Sequence, residues 1–272
     1  VKIAVYGAWN NIGADDFYAV RSSATAEDLP GTSFAGQEDT YLNIKGYVNL
    51  MSAVQNCRAS LFTDRAISYR IKNGFDHEHV ALSVVIQKMI LSEASGIMFT
   101  ADPISGNRNI LNIDAGFGLG EALVSGLVTP DFYQVSDSMI MNKQISRKEI
   151  GIFPEEAGGT LKRDIEAGEK DRQVLLDSQI IELAEIGSNI QKLFENPQDI
   201  EWALHKGKFY ILQSRPITSL YPIPILRDDE KHVFFSFGHL QMMTNAMKPM
   251  ALSIFETTRI FDKPKSNDSI NV

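Results

Sequence analysis

The spacing of apolar residues changes several times along the chain, and each change predicts an element. Residues 1–14 are mildly amphipathic and read as a helix. A polar stretch follows, RSSATAEDLPGTSFAGQEDT (21–40), whose Ser, Thr, Gly and Asp favour turns and caps over helix or strand. Residues 47–72 read as one long helix, with Val48, Met51, Val54, Leu61, Phe62 and Ile71 among its apolar positions and Gly74 as its cap. Three short apolar runs, 83–90, 96–102 and 109–115, are punctuated by Gly, Pro and Asn and read as buried strands. The glycine segment GFGLGEALVSG (116–126) leads into a short helix, and 132–150 is strand-like. A turn-rich piece surrounds Gly158-Gly159. A helix is predicted over about 178–195, capped by Asp177 or Ser178, with Pro197 beyond its end. DIEWALHKGKFYILQS (199–214) alternates like a β-hairpin turning near Lys206-Gly207. The Pro-rich 220–232 reads as a linker. Residues 233–272 then begin a second, mainly helical domain with a short strand, VFFSF, and a Met-rich helix.

Composition narrows the class. The 272 residues are 44% apolar and 22% charged, as in an ordinary folded chain of one large or two smaller domains. Lys and Arg number 26 against 34 Asp and Glu, giving a net charge of −8, which disfavours a broad nucleic-acid-binding face. No apolar run reaches the ~18–20 residues of a membrane helix, so no membrane partner is expected. Cys57 is the only cysteine, which suits the cytoplasm and reads as a small buried apolar residue. The chain starts at Val, its first residues lack the basic start and long apolar run of a signal peptide, and it is expected to be a fragment of something longer.

Several segments carry candidate chemistry. The hydroxyls and glycines of 21–40 suit a loop that cradles phosphate, with Arg21 as a forked donor; an ordinary surface loop is the other reading. GFGLGEALVSG fails the dinucleotide fingerprint, because its spacing requires a small residue where Glu121 or Leu123 stands. Gly207-Lys208 is followed by Phe209, so no Walker motif exists either. The glycines can equally mark tight backbone packing. Glu201, between Ile200 and Trp202, and Gln213, followed by Ser214 and Arg215, offer an oxygen pair suited to magnesium together with phosphate oxygens. A half-exposed hairpin is the alternative. The pair His77 and His79 reads as a solvated loop. Met242, Met243, Met247 and Met250 form either core or an adaptable apolar surface.

Taken together, AVRSSATAEDLPGTSFAGQEDTYLN (19–43), GIMFTADPISGNR (96–108), GFGLGEALVSGLVTPD (116–131) and DIEWALHKGKFYILQSRPI (199–217) resemble the N-terminal ATP-binding domain of the phosphoenolpyruvate synthase and pyruvate phosphate dikinase family. The resemblance implies an α+β, ATP-grasp-like domain over 1–219, incomplete at its N-terminus, with ATP and magnesium as cofactors. It implies phosphate contacts from Arg21, Gly36, Thr40 and Arg215, adenosine beside Gln87, and magnesium on Glu201 and Gln213. HLQMMTNAMKPMALS (239–253) resembles the opening of the antibiotic-binding domain of rifampin phosphotransferases, with Gln241, Met242, Met243 and Met247 as acceptor contacts. The implied chemistry passes the β-phosphoryl of ATP through a phosphohistidine on a swivelling domain to rifampin, leaving AMP and phosphate. Pyruvate as acceptor and a non-catalytic nucleotide-binding module are the alternatives. The family's GGKG-type segment with its phosphate-binding lysine has no counterpart here, and no histidine of this sequence matches the carrier motif.

The strand period adds a geometric expectation. Glu201 and Gln213 must share a face to hold one magnesium, and directly opposed residues of a hairpin point to the same side. A regular two-residue turn at Lys206-Gly207 would set Glu201 opposite Leu212. A three-residue loop or a bulge is therefore expected.

Overall fold

The computed structural model describes residues 2–24, 40–76, 80–124 and 126–220. The chain divides into two units, Val1–Leu220 and Tyr221–Val272, and the second lies outside the described residues.

The first unit mixes helix and sheet. Helix α1 (Lys2–Gly13) leads into strand β1 (Phe17–Ala24), which is central in a three-stranded antiparallel sheet between β2 (Thr40–Lys45) and β3 (Leu82–Lys88). Arg21 to Ala24 were expected in a turn-rich loop and instead extend β1. Their pairing with β3 supplies backbone hydrogen bonds that outweigh the weak strand preference of Ser22 and Ser23. One face of this sheet, with Tyr18 and Val20, packs on Leu50, Ala53, Val54 and Cys57 of α2 (Tyr47–Ala59). Cys57 is fully buried there, as its chemistry suggested.

The helix expected over 47–72 is broken. It stops at Ala59, passes through a 3-10 turn (Ser60–Phe62) and restarts as α3 (Asp64–Asn73). Thr63 is extended and its hydroxyl accepts from the Ala66 N–H, so an N-cap sits inside the predicted helix. Val48, Phe62 and Ile71, counted among its apolar positions, are exposed. Gly74 closes α3 in the left-handed region, as expected.

The larger sheet is six-stranded and antiparallel, in the order β11-β10-β4-β5-β6-β7. Its strands are β4 (Ala94–Phe99), β5 (Leu111–Phe117), β6 (Asp131–Ser136), β7 (Met139–Gln144), β10 (Gln198–His205) and β11 (Lys208–Pro216). Between them come a short helix α4 (Glu121–Val124), the hairpin β8 (Ile150–Pro154) and β9 (Thr160–Asp164), and helix α5 (Asp177–Phe194). The hairpin β8-β9 falls where only strand-like material and turns were expected. Helix α5 presents Ile180, Leu183, Ala184 and Gly187 to the sheet, the i, i+3, i+4, i+7 pattern of one helix face. Its N-cap is Leu176, not Asp177 or Ser178; the Leu176 N–H donates to Oε1 of Gln179 at 2.9 Å.

Under α5 lies the main core: Met98, Ile113, Ala115, Tyr133, Val135, Ile200, Trp202 and Leu204. These alternate along each strand with residues on the opposite face, so the sheet has one dry side and one polar side. β4 and β5 are buried as expected. β3 is not: it has no fully buried residue, since it belongs to the thinner sheet.

Candidate functional site

The polar face of the large sheet is assembled by cross-strand register. Gln213 stands opposite Glu201, Glu201 opposite Ile97 and Ile97 opposite Asp114. Directly opposed residues point to the same side, so this row runs across β11, β10, β4 and β5 on one surface. Asp199 and Arg215 form the next row on that surface.

The register depends on one extra residue. The turn at Lys206-Gly207 is the two-residue kind, with φ of 51° and 72°, and it pairs His205 with Lys208. Both positive angles match the type I′ turn, and Gly207 tolerates its own at no steric cost. Continued regularly, that hairpin would set Glu201 opposite Leu212. Trp202 instead pairs with Ile211 and Glu201 with Gln213, so Leu212 is a bulge. Of the two devices expected from the strand period, the bulge is the one present. It leaves Trp202 in the core and turns Gln213 to the side of Glu201.

The small sheet supplies the opposing groups. Arg21 on β1 donates from Nη1 to Oε2 of Glu201 at 2.8 Å and to Oε1 of Gln213 at 3.0 Å. The ion pair is about three-quarters buried, with side-chain exposures of 21% and 26%. Gln87 on β3 donates from Nε2 to the Leu212 carbonyl at 3.2 Å, so it holds the bulge itself. Thr40 pairs with Arg21 across β1 and β2, which sets it beside that arginine. Arg215 donates from Nε to Oδ2 of Asp199 at 2.9 Å. Gly36, Gln241, Met242, Met243 and Met247 lie outside the described residues, as do His77 and His79.

Two residues of this surface escaped the sequence reading. Asp199 precedes Glu201 by two positions, so the strand period alone places it on the same face. Burial pushes its carboxyl above the ordinary aspartate value, against the opposing pull of Arg215. Asp114 sits in an apolar-looking run, NILNIDA, and no pattern signalled it. Burial raises its carboxyl as well.

The other recognisable segments hold the scaffold. Gly118 has a φ of 79°, and a Cβ there would lie 2.2 Å from the Ile152 carbonyl oxygen. The Gly118 carbonyl accepts from the hydroxyls of Ser92 and Ser95 at 2.9 and 2.7 Å. The packing reading of that glycine is therefore the one the structure bears out. Asp102 accepts from Ser105 Oγ, the Ile104 N–H and Asn112 Nδ2, closing the loop between β4 and β5. Burial acts to raise the Asp102 carboxyl, but these hydrogen bonds together hold it below its ordinary value. Asp131, fully buried, accepts from Lys148 Nζ, Tyr133 Oη and the N–H groups of Ser146 and Val174. It ties two connecting segments to β6.

No group of three or more His, Cys, Asp and Glu among the described residues could hold a metal. A Glu and Gln pair is instead the donor set that leaves room for phosphate oxygens and water around magnesium. The two side-chain oxygens fit that use, since they already converge on one cationic nitrogen, Nη1 of Arg21.

A two-sheet α+β unit whose sheets are joined by the ion pair of Arg21 and Glu201 suits a nucleotide-binding domain. Residues 2–223 match the pyruvate phosphate dikinase AMP/ATP-binding domain, and the chain belongs to that family. It is 53% identical over 263 residues to a rifampicin phosphotransferase of Bacillus subtilis, covering 97% of this chain and 30% of the relative. It is 56% identical over 249 residues to a rifampicin phosphotransferase of Bacillus cereus, covering 92% and 29%. To a phosphoenolpyruvate synthase of Pyrococcus furiosus it is 52% identical over 231 residues, covering 81% and 28%. The chain thus spans less than a third of the length of these relatives. Among the described residues no helix is long and apolar enough to cross a membrane.

Proposed function

We propose that this chain is the ATP-binding portion of a dikinase-type phosphotransferase. The two sheets close on the nucleotide in the ATP-grasp manner. Arg21, Gly36, Thr40 and Arg215 hold its phosphates, and Gln87 lies beside the adenosine. Glu201 and Gln213 take magnesium, which supplies charge neutralisation at the phosphates. Such catalysis is mostly positioning and electrostatic stabilisation. The arginines serve it by forked hydrogen bonds that match phosphate oxygens. The β-phosphoryl passes to a carrier histidine on a swivelling domain elsewhere in the full-length protein and the γ-phosphoryl to water, leaving AMP and phosphate. The observation that carries this reading is the convergence of Arg21, Glu201 and Gln213 within 3.0 Å, across two sheets, in a chain of the AMP/ATP-binding family.

Rifampin is the acceptor this reading favours, with Gln241, Met242, Met243 and Met247 among its contacts. A match over 97% of the chain must run through most of residues 221–272, as the Bacillus subtilis relative does, whereas 81% can be met by the first unit alone. Pyruvate is the alternative acceptor.

Calorimetry on the 272-residue chain tests the nucleotide site. Glu201→Ala combined with Arg215→Ala should weaken magnesium-ATP binding by at least about tenfold. Unchanged binding would remove the assignment. In the full-length protein, AMP should form with rifampin and not with pyruvate; the reverse result makes it a synthase.

A further inference from the structure

Arg21 occupies the position that the proposed magnesium would need. Its Nη1 bonds both Glu201 Oε2 and Gln213 Oε1, so a single guanidinium nitrogen uses the oxygens of both residues. A magnesium ion sits at about 2.0–2.1 Å from its oxygens. An ion held by these two oxygens on the side where Nη1 now lies would overlap that nitrogen. On that side the two cations are therefore mutually exclusive.

The arginine is also incompletely satisfied where it stands. Its Nε is buried and has no hydrogen-bond partner among the described residues. A buried donor without a partner carries a desolvation cost. A guanidinium can meet a phosphate with two parallel N–H donors, which would engage what the present arrangement leaves idle. Phosphate thus offers Arg21 a better partner than the oxygen pair does.

The geometry points to Arg21 as a gate on the metal position: it closes the Glu201–Gln213 pair to free divalent cations and opens it when nucleotide phosphate draws the guanidinium away. This rests on the reading of that pair as the magnesium ligands. Metal and nucleotide then enter together, and an abundant divalent cation alone does not occupy the cleft.

Manganese(II) chloride, followed by electron paramagnetic resonance on the 272-residue chain, is the probe. Wild type should bind manganese weakly alone and more tightly with a non-hydrolysable ATP analogue. Arg21→Met should bind manganese alone about tenfold more tightly than wild type, the size expected for removing a competing hydrogen bond to a charged group. Arg21→Gln is a second neutral variant expected to gain similarly, and Arg21→Lys, which keeps the charge, should keep the exclusion. Adding Glu201→Ala to Arg21→Met should abolish the gain. If wild type binds manganese with the analogue but neither neutral variant gains metal affinity without it, the gate is wrong while the metal assignment stands. If no form binds manganese even with the analogue, or the gain survives loss of Glu201, the metal assignment fails and the gate with it.

Discussion

The large sheet buries an entire face under α5, around Met98, Ile113, Tyr133, Trp202 and Leu204, whereas the small sheet rests on α2 through a handful of side chains centred on Tyr18, Val20, Leu50 and Cys57. Both present their other face to the site. The large sheet contributes residues whose positions are fixed by register and one bulge: Glu201, Gln213, Asp199 and Arg215. The small sheet contributes Arg21 and Gln87, which reach across to them. The difference separates two jobs. A well-packed platform sets the spacing of the Glu201 and Gln213 oxygens, because packed interiors resist small displacements. A thinner roof carries Arg21, the arginine proposed to change partners.

The largest expected effect tests the platform. Trp202 is fully buried, packs edge-on against Phe209 with ring centroids 5.7 Å apart, and pairs with Ile211 beside the bulge. Trp202→Ala should cost about 3–5 kcal/mol in urea unfolding, from lost burial plus the cavity left behind. A cost below about 1 kcal/mol would be that of an ordinary surface change and would end the claim that this core fixes the site.

The roof should yield separately. Leu50 is fully buried against β1, in the smaller of the two cores. Leu50→Ala should cost about 2–4 kcal/mol, and the loss should be felt locally first. Amide exchange in β1 and β3 should quicken while β4, β5 and β10 stay protected. Equal acceleration in both sheets would mean that they open as one body, and the division of labour would fail.

How far the sequence revealed this arrangement depends on which force decided each element. The helix at 177–194 and the strands around 96–117 were legible because their apolar periods coincide with the buried faces. The broken helix at 47–73 was not, because apolar residues run through it without a visible gap, several of them (Val48, Phe62, Ile71) face solvent, and only Thr63 marks the interruption. Arg21 to Ala24 look like a turn, and only their partners on β3 make them a strand. In the site, the strand period showed that Glu201 and Gln213 could share one ion only with an extra residue in the hairpin, and the bulge at Leu212 is that residue. The link from Arg21 to that pair spans 180 residues of sequence and could not be read locally. The resemblance to a known family supplied Arg21 as a phosphate contact, but not its hold on the two oxygens. Asp114 remained invisible because a single acid in an apolar run carries no period.

The smallest expected effect concerns that residue and marks where the site ends. Asp114 continues the row Gln213, Glu201, Ile97, and burial raises its carboxyl above the ordinary value of 3.8. A raised value in the folded state means that the folded protein binds the proton more tightly than the unfolded chain. The ionised group therefore costs stability at neutral pH, and this cost fades as the pH falls through the raised value towards 3.8. Asp114→Asn, nearly the same shape, should melt slightly higher than wild type at pH 7, and the gap should shrink on acidification to below pH 3.8. Thermal unfolding of both forms across that range gives the comparison. A variant less stable at neutral pH, or a gap that ignores pH, would show that the carboxylate is supported by its surroundings rather than tolerated. Magnesium-ATP affinity of the same variant then places the boundary. A loss extends the binding surface to β5. No loss leaves Ile97 as its edge, with the platform's ligands confined to the β10-β11 hairpin.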